Sequence, residues 1–165
     1  APLEFTLAIT RQESSFDPRA RSGADARGMM QFLPSTGAAV ARQLNMPFSA
    51  ERLWDGDYNM TLGSYHLGDL TNRFGGSMLL ATVGYNAGPA RPPQWIARCG
   101  DPRDGSVDPV DFIECAPFTE TRNYMMRVME NMAIYKARLN GGAAPLTTSS
   151  DIARGVSAGP RPYRP

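Results

Sequence analysis

One long helical pattern limits the folds open to this chain. Residues 121–139 carry an apolar side chain at every third or fourth position: Tyr124, Val128, Met132, Tyr135 and Leu139. This is the spacing of one face of an α-helix. No segment combines alternating apolar and polar residues with a hairpin turn, which is the pattern of an antiparallel sheet. The sequence therefore predicts an all-α fold.

Four shorter helices are predicted from apolar spacing and from residues typical of helix ends: residues 3–12, 34–44, 61–74 and 78–88. Proline suits the first turn of a helix, as at Pro34. Ser77 can cap the start of the fourth helix, and Gly75 can end the third. In the third helix, three apolar residues are expected to face inward: Leu62, Tyr65 and Leu70.

The domain organisation follows from where this periodicity stops. The chain has 165 residues, enough for one domain with a sizeable core. Residues 141–165 lose all helical spacing and gain Gly, Pro, Ser and Thr, which is typical of a flexible tail or an extended strap. We therefore predict one domain at 1–140 and a tail at 141–165.

Composition and charge exclude several classes of function. Hydrophobic residues make up 42% and charged residues 20%, which is a globular composition. A net charge of +1 gives no reason to expect a nucleic acid or an anionic membrane as partner. No apolar run reaches the length of a bilayer span. The chain opens "APLEF", without an initiator methionine or signal peptide, so we expect a mature product or an excised fragment.

The only two cysteines, Cys99 and Cys115, bracket the polar stretch "CGDPRDGSVDPVDFIEC". Without a CxxC motif or a nearby histidine they make a poor metal site, and we expect no metal. A disulfide would restrain this loop in an oxidising compartment. We expect the disulfide, and two free thiols remain the alternative.

The short stretch "RQESSFDP" puts Glu13 where a mostly apolar helix ends. A glutamate there is usually a solvated helix-end residue. Three other segments of glycine and polar residues beside apolar helices favour a site instead: "GMMQ" at 28–31, "GYNAG" at 84–88 and "FIECAPFTETRNY" at 112–124. Their amides and hydroxyls suit sugar hydroxyls, and aromatics such as Tyr85, Phe118 and Tyr124 can stack on sugar rings. Each alone has a structural reading: "YNAG" as a helix end, "ETRNY" as a capped helix start with Arg122 paired locally.

Taken together, "ITRQESSFDPRARSGADARGMMQFLPST", "GGSMLLATVGYNAGPA" and "DFIECAPFTETRNYMMRV" resemble the catalytic domain of soluble lytic transglycosylases. This bacterial family has a lysozyme-like fold with a cleft, related to goose-type lysozyme. The resemblance covers residues 3–139. The chain departs from the family pattern at Met29, usually Leu, and at Gly84, usually Ala. Cys115 and Ala116 stand where the family usually has Ser and Ile, so the disulfide is inferred from this chain alone.

The resemblance implies roles for eight residues. Glu13 matches the family's single catalytic acid, and Ser22 matches a serine that contacts the reacting sugar near its acetamido group. The other matches are proposed to bind substrate: Met30 and Gln31 beside the scissile bond, Tyr85 facing the glutamate, Asn86 supporting that segment, and Glu114 and Tyr124 on the far wall of the groove.

The resemblance also implies a reaction without a cofactor. Family members cleave the β-1,4 bond between N-acetylmuramic acid and N-acetylglucosamine in peptidoglycan, and they leave a 1,6-anhydro ring on muramic acid. We therefore expect peptidoglycan glycan strands as partner and the periplasm as location. If the chain is a fragment, an N-terminal helical domain is a further expected partner.

One carboxyl is enough for this reaction. Most glycosidases need a second carboxylate, and Asp17 and Asp25 are both expected to be solvated. The muramic acetamido oxygen can act as the nucleophile instead. Glu13 must then act first as an acid, which partial burial of a carboxyl favours. Two alternatives remain: a hydrolytic muramidase on the same fold, and a catalytically silent peptidoglycan-binding module.

Overall fold

The computed structural model describes residues 1–156 of the chain. Its α-helices follow one another as α1 (Leu3–Ser14), α2 (Pro34–Gln43), α3 (Gly56–Arg73), α4 (Met78–Ala87), α5 (Arg91–Cys99), α6 (Pro109–Cys115), α7 (Thr119–Leu139) and α8 (Thr148–Ile152), with a 3-10 helix at Ala50–Trp54 between α2 and α3. Extended pairing within these residues is confined to two isolated bridges, which join Arg27 to Arg21 and to Phe32. The all-α prediction is confirmed.

The chain forms two compact units. The first comprises residues 1–69 and 131–144, and the second comprises 70–130 and the segment from 145 onward. The division falls within α3 and within α7.

The core of the first unit is built on α1. Phe5, Ala8 and Ile9 are fully buried, and they share one face because residues three and four apart stack on a helix. Further buried side chains of this unit come from a loop, from α2 and α3 and from the 3-10 helix: Met30, Phe32, Val40, Ala41, Leu53, Leu62 and Leu67.

The core of the second unit surrounds α4, whose residues Met78–Gly84 are all buried. A helix that is apolar on all sides belongs inside a protein. The Ser77 hydroxyl caps it, accepting the Leu80 N–H at 3.2 Å, as the sequence predicts. Neighbouring helices contribute further core side chains, among them Trp95, Phe112, Met125 and Val128.

Several helix bounds differ from the sequence prediction. Helix α1 continues two residues past Gln12, so Glu13 lies in its last turn and not in the following turn. Helix α3 starts at Gly56 instead of residue 61, and α5 and α6 were not predicted. The inward orientation of Tyr65 was wrong, because its side chain is 40% exposed, whereas Leu62 and Leu70 are buried.

The predicted tail is partly ordered. Residues 148–152 form α8, which packs against α4. Asp151 is 1% exposed and accepts hydrogen bonds from Thr147 Oγ1 at 2.8 Å and Arg154 Nη2 at 3.0 Å. These side-chain bonds stabilise a helix too short to show an apolar period in the sequence. The rest of the predicted tail, 157–165, lies outside the described residues.

No helix of residues 1–156 is long and apolar enough to cross a membrane. In the same part of the chain, no group of three or more His, Cys, Asp or Glu side chains is arranged to hold a metal ion.

Candidate active site

The turn after α1 fixes the environment of Glu13, which is half-buried in the last turn of the helix. Ser15 and Phe16 both adopt left-handed backbone conformations, with φ of 54° and 67°. The Ser15 N–H closes the helix on the Arg11 carbonyl at 3.1 Å. The Ser14 hydroxyl donates to the Met29 carbonyl at 2.7 Å. The residue next to Glu13 is thus tied directly to the "GMMQ" segment.

The "GMMQ" segment is a tight turn that depends on its glycine. Gly28 has φ of 78°, and a Cβ there would overlap the Leu53 carbonyl and the Asn59 side chain. The side chain of Met30 is fully buried, and its sulfur packs against Gly63. The expectation that the Met30 side chain lines a cleft is therefore wrong, because the side chain fills the core beneath the turn.

Gln31 also supports the turn from within. Its φ is 54°, and its Nε2 donates to the carbonyls of Ala20 and Gly28, both at 2.9 Å. The side chain is half-buried. Both amide hydrogens are engaged by the backbone, so the side-chain oxygen is the Gln31 atom suited to accept from a sugar hydroxyl.

Asn59 holds the "GMMQ" turn in place and was not predicted from the sequence. This fully buried side chain of α3 accepts the Met30 N–H at 2.8 Å. It also donates to the carbonyls of Arg27 and Leu53, both at 2.9 Å. The available signal was its position three residues before Leu62 on the apolar face of α3, where a polar side chain must find partners.

Ser22 lies in an exposed loop that closes on itself. Its Oγ accepts the Ala26 N–H at 3.0 Å, and its carbonyl accepts the Asp25 N–H at 3.0 Å. The Asp25 side chain is 37% exposed, in agreement with the expected solvated carboxyl, but its carboxylate also pairs with Arg21 at 2.7 Å and with Arg27 at 3.0 Å. The hydrogen bond from Arg27 lowers the pKa of Asp25.

Asp17 is exposed, as expected, and accepts the Arg19 N–H at 2.8 Å in the same turn.

In the second unit, Tyr85 and Asn86 lie half-buried in the last turn of α4. The Asn86 Oδ1 accepts a hydrogen bond from the buried Thr121 hydroxyl at 2.7 Å, which joins "GYNAG" to the start of α7. A Cβ at Gly84 would lie 3.1 Å from the ring of Phe74, so this position favours a very small residue.

The segment between α6 and α7 is organised by Arg122. Its guanidinium donates to the carbonyls of Glu114 and Ala116, both at 3.3 Å, and to Thr119 Oγ1 at 2.9 Å. The local pairing considered for Arg122 is therefore present. The Glu114 side chain is exposed, and its place on the wall of the groove stays a prediction.

Tyr124 is only 6% exposed, so its ring packs in the core of the second unit. The expectation that the Tyr124 ring stacks on a sugar is wrong for this reason, and its place on the far wall of the groove stays a prediction. The exposed aromatic nearby is Phe118, which is 41% exposed. Its ring packs edge-on against Trp95 at 5.4 Å and lies 5.2 Å from the Arg91 guanidinium.

Cys99 and Cys115 are bonded to each other, with a Cα–Cα distance of 6.0 Å. The bond joins the last residues of α5 and α6. The enclosed stretch was predicted as a loop, but its second half is α6, started by Pro109 with the Asp108 side chain as cap at 2.8 Å. Its first half is held by the nearly buried pair of Asp101 and Arg103 at 2.7 Å.

We predict that the unfolded, unreduced protein has no titratable thiol. Replacing both cysteines with Ala should lower the free energy of unfolding by about 3 kcal/mol, the chain-entropy value for a loop of this length. Thiol titration in denaturant and urea unfolding measure the two effects. Two free thiols in the untreated protein would contradict the bond.

The comparisons with known proteins all point to the same family. A sequence model described as "Transglycosylase SLT domain" matches residues 1–105. The soluble lytic murein transglycosylase of Escherichia coli K12 is 33% identical over 137 residues, which is 82% of this chain and 21% of that protein. The chain therefore spans about a fifth of the length of this curated relative.

Solved structures agree. The 70 kDa soluble lytic transglycosylase SLT70 from Escherichia coli superposes with a TM-score of 0.79 and 30% identity, over 90% of this chain and 24% of that one. An inactive Glu-to-Gln mutant of the lytic transglycosylase Slt from Pseudomonas aeruginosa gives a TM-score of 0.78 and 34% identity, over 94% of this chain and 24% of that one. These likenesses confirm the lysozyme-like fold class predicted from the sequence.

The fold, the motif order and the family match agree over most of the chain, and the chain belongs to the transglycosylase SLT domain family.

Proposed function

We propose that this chain is a peptidoglycan lytic transglycosylase. It cleaves the β-1,4 bond between N-acetylmuramic acid and N-acetylglucosamine and forms 1,6-anhydro-muramic acid. The observation that carries the proposal is the position of Glu13 at the end of a helix that is hydrogen-bonded to the "GMMQ" turn. Glu13 is half-buried in the last turn of α1, and the adjacent Ser14 is bonded to the "GMMQ" turn at 2.7 Å.

The proposed chemistry uses Glu13 twice. As an acid it protonates the oxygen that leaves with N-acetylglucosamine, while the muramic acetamido oxygen attacks the anomeric carbon. As a base it then takes the proton from the C6 hydroxyl, whose oxygen closes the anhydro ring. No water is consumed, and Glu13 ends protonated as it began. General acid–base help of this kind contributes about 10²–10⁴-fold in rate.

Other residues would bind and orient the glycan. Ser22 and Glu114 offer exposed polar groups, and Gln31, Tyr85 and Asn86 offer half-buried ones. Met30 and Tyr124 are both buried, so they would support the residues that contact the substrate by packing beneath them. Phe118 adds an exposed ring on which a sugar or a peptide methylene could stack.

We predict that Ser22→Ala and Tyr85→Phe each lower turnover by about 10²-fold while leaving the fold intact, because each removes one aimed hydroxyl. The matched controls are Ser64→Ala and Tyr65→Phe, neighbouring positions on α3, which should keep normal turnover. Muropeptide release and thermal unfolding are measured for all four variants. Normal turnover in both site variants would contradict the assigned roles.

The family relationship supports the surroundings we propose. The curated relative is a murein transglycosylase by name, and we propose the periplasm as location and peptidoglycan glycan strands as partner. Because the chain matches about a fifth of that relative, we also propose that it acts beside an N-terminal helical domain.

Incubation with purified sacculi tests the function. The protein should release soluble muropeptides and reduce turbidity. Binding to sacculi without release would indicate the silent binding module instead. Release that ends in reducing muramic acid would indicate a hydrolytic muramidase.

A further inference from the structure

The exposed loop that carries Ser22 is held by a cluster of charged side chains. Asp25 lies at its centre with φ of 65°, a conformation that few residues other than glycine adopt. Its Oδ1 accepts from Arg21 Nε at 2.7 Å and from Arg27 Nε at 3.1 Å, and its Oδ2 accepts from Arg27 Nη2 at 3.0 Å. Both carboxylate oxygens therefore accept hydrogen bonds from arginines at the two ends of the loop. We call this arrangement of Arg21, Asp25 and Arg27 the clasp.

Arg27 fastens this clasp to the body of the first unit. Its side chain is only 15% exposed, and Nη1 donates to the Ala50 carbonyl at 3.2 Å. The guanidinium carbon lies 5.4 Å from the ring centre of Trp54. Its backbone exchanges two hydrogen bonds with Phe32, at 2.9 and 3.1 Å. Arg27 thus ties the loop to the body of the unit, and Asp25 is the half-buried loop residue that it holds.

The clasp acts on the Ser22 hydroxyl through a short path. The backbone of Asp25 and Ala26 supplies the two N–H groups bonded to the Ser22 carbonyl and Oγ, both at 3.0 Å. A shift of Asp25 therefore shifts both partners of Ser22. Small displacements of a group that contacts the reacting atoms cost large factors in rate.

We propose that Asp25 and Arg27 are positioning residues that hold Ser22 in its productive orientation. This inference rests on the proposed function and on the role of Ser22 within it. Neither side chain needs to contact substrate. Both should affect the rate only while the Ser22 hydroxyl is present.

A double-mutant cycle tests this dependence. Asp25→Asn keeps the size of the side chain and tolerates the left-handed backbone, but it removes the charge. It should lower kcat by about three- to fivefold with little change in KM, the scale of one partly exposed charged contact. In the Ser22→Ala background the same change should lower kcat by less than about twofold. Equal losses in both backgrounds, or a normal kcat for Asp25→Asn, would overturn the inference.

A matched control is Glu130→Gln. It breaks the exposed Arg127–Glu130 pair at 3.4 Å, which shares no residue with the loop of Ser22 and Asp25, and should leave kcat unchanged in both backgrounds. Arg27→Lys keeps the positive charge but cannot form the two parallel hydrogen bonds to Asp25. It should therefore reproduce the kcat loss of Asp25→Asn. A normal kcat for Arg27→Lys would count against the clasp.

Amide hydrogen exchange separates failure of this inference from failure of the proposed function. Exchange in residues 20–28 should accelerate in Asp25→Asn and stay unchanged in Glu130→Gln. If the wild type does not cleave peptidoglycan, the proposed function fails, and accelerated exchange still supports the clasp. Unchanged exchange in Asp25→Asn overturns the clasp whatever the activity.

Discussion

Glu13→Gln should reduce release of muropeptides from sacculi by about 10²–10⁴-fold, because the amide keeps the size of the side chain but has no proton to transfer. The fold should persist, since Glu13 is half-buried in a helix that Gln supports equally well. Stability should stay level or rise, because a partly buried acid opposes folding. Activity on sacculi and thermal unfolding of the same preparation measure both effects.

Glu4→Gln is the matched control for this substitution. Glu4 lies in the first turn of the same helix, so the variant makes the same chemical change two turns away from the site. It should cleave at the wild-type rate. Undiminished cleavage by Glu13→Gln would remove Glu13 from the mechanism.

Asn59→Ala should be among the most destabilising single changes in the first unit. It leaves the Met30 N–H and the Leu53 carbonyl without the partner that Asn59 supplies, whereas the Arg27 carbonyl keeps the Phe32 N–H. Each unpaired buried polar group costs about 1–3 kcal/mol, so the free energy of unfolding should fall by about 3 kcal/mol or more. Activity should fall as well at temperatures where the variant remains folded, because the "GMMQ" turn loses its support.

The control for Asn59→Ala is Asn72→Ala. Asn72 is exposed near the end of the same helix, where Ala is the better helix former. This variant should be as stable as the wild type or slightly more so. Urea unfolding compares the two variants, and equal stabilities would contradict the supporting role of Asn59.

Elements with a local signal were predictable from the sequence. The apolar period of α7 gave its length to within two residues, and Ser77 marked the start of α4 because a serine hydroxyl caps a helix end. Helices α5 and α6 escaped prediction because they have nine and seven residues, too few for a clear period. Their stability comes from packing and from the Cys99–Cys115 bond.

The sequence predicted which residues form the candidate site but not which contacts hold them in place. The motifs identified Glu13 and Ser22, but no local pattern reveals that Asn59 holds Met30 from 29 residues away. The ion pairs of Asp25 were not predicted either, although Arg21 and Arg27 are close in sequence, because only the fold of the loop turns both side chains toward the Asp25 carboxylate. Burial of Met30 and Tyr124 likewise depends on packing between distant segments.

Mass spectrometry of the products from a defined muropeptide polymer tests the central claim most directly. The proposed reaction joins the C6 oxygen to the anomeric carbon, so the products should end in 1,6-anhydro-muramic acid. Each should be lighter by one water than the corresponding hydrolysis product. Reducing-end muramic acid as the main product would contradict the account.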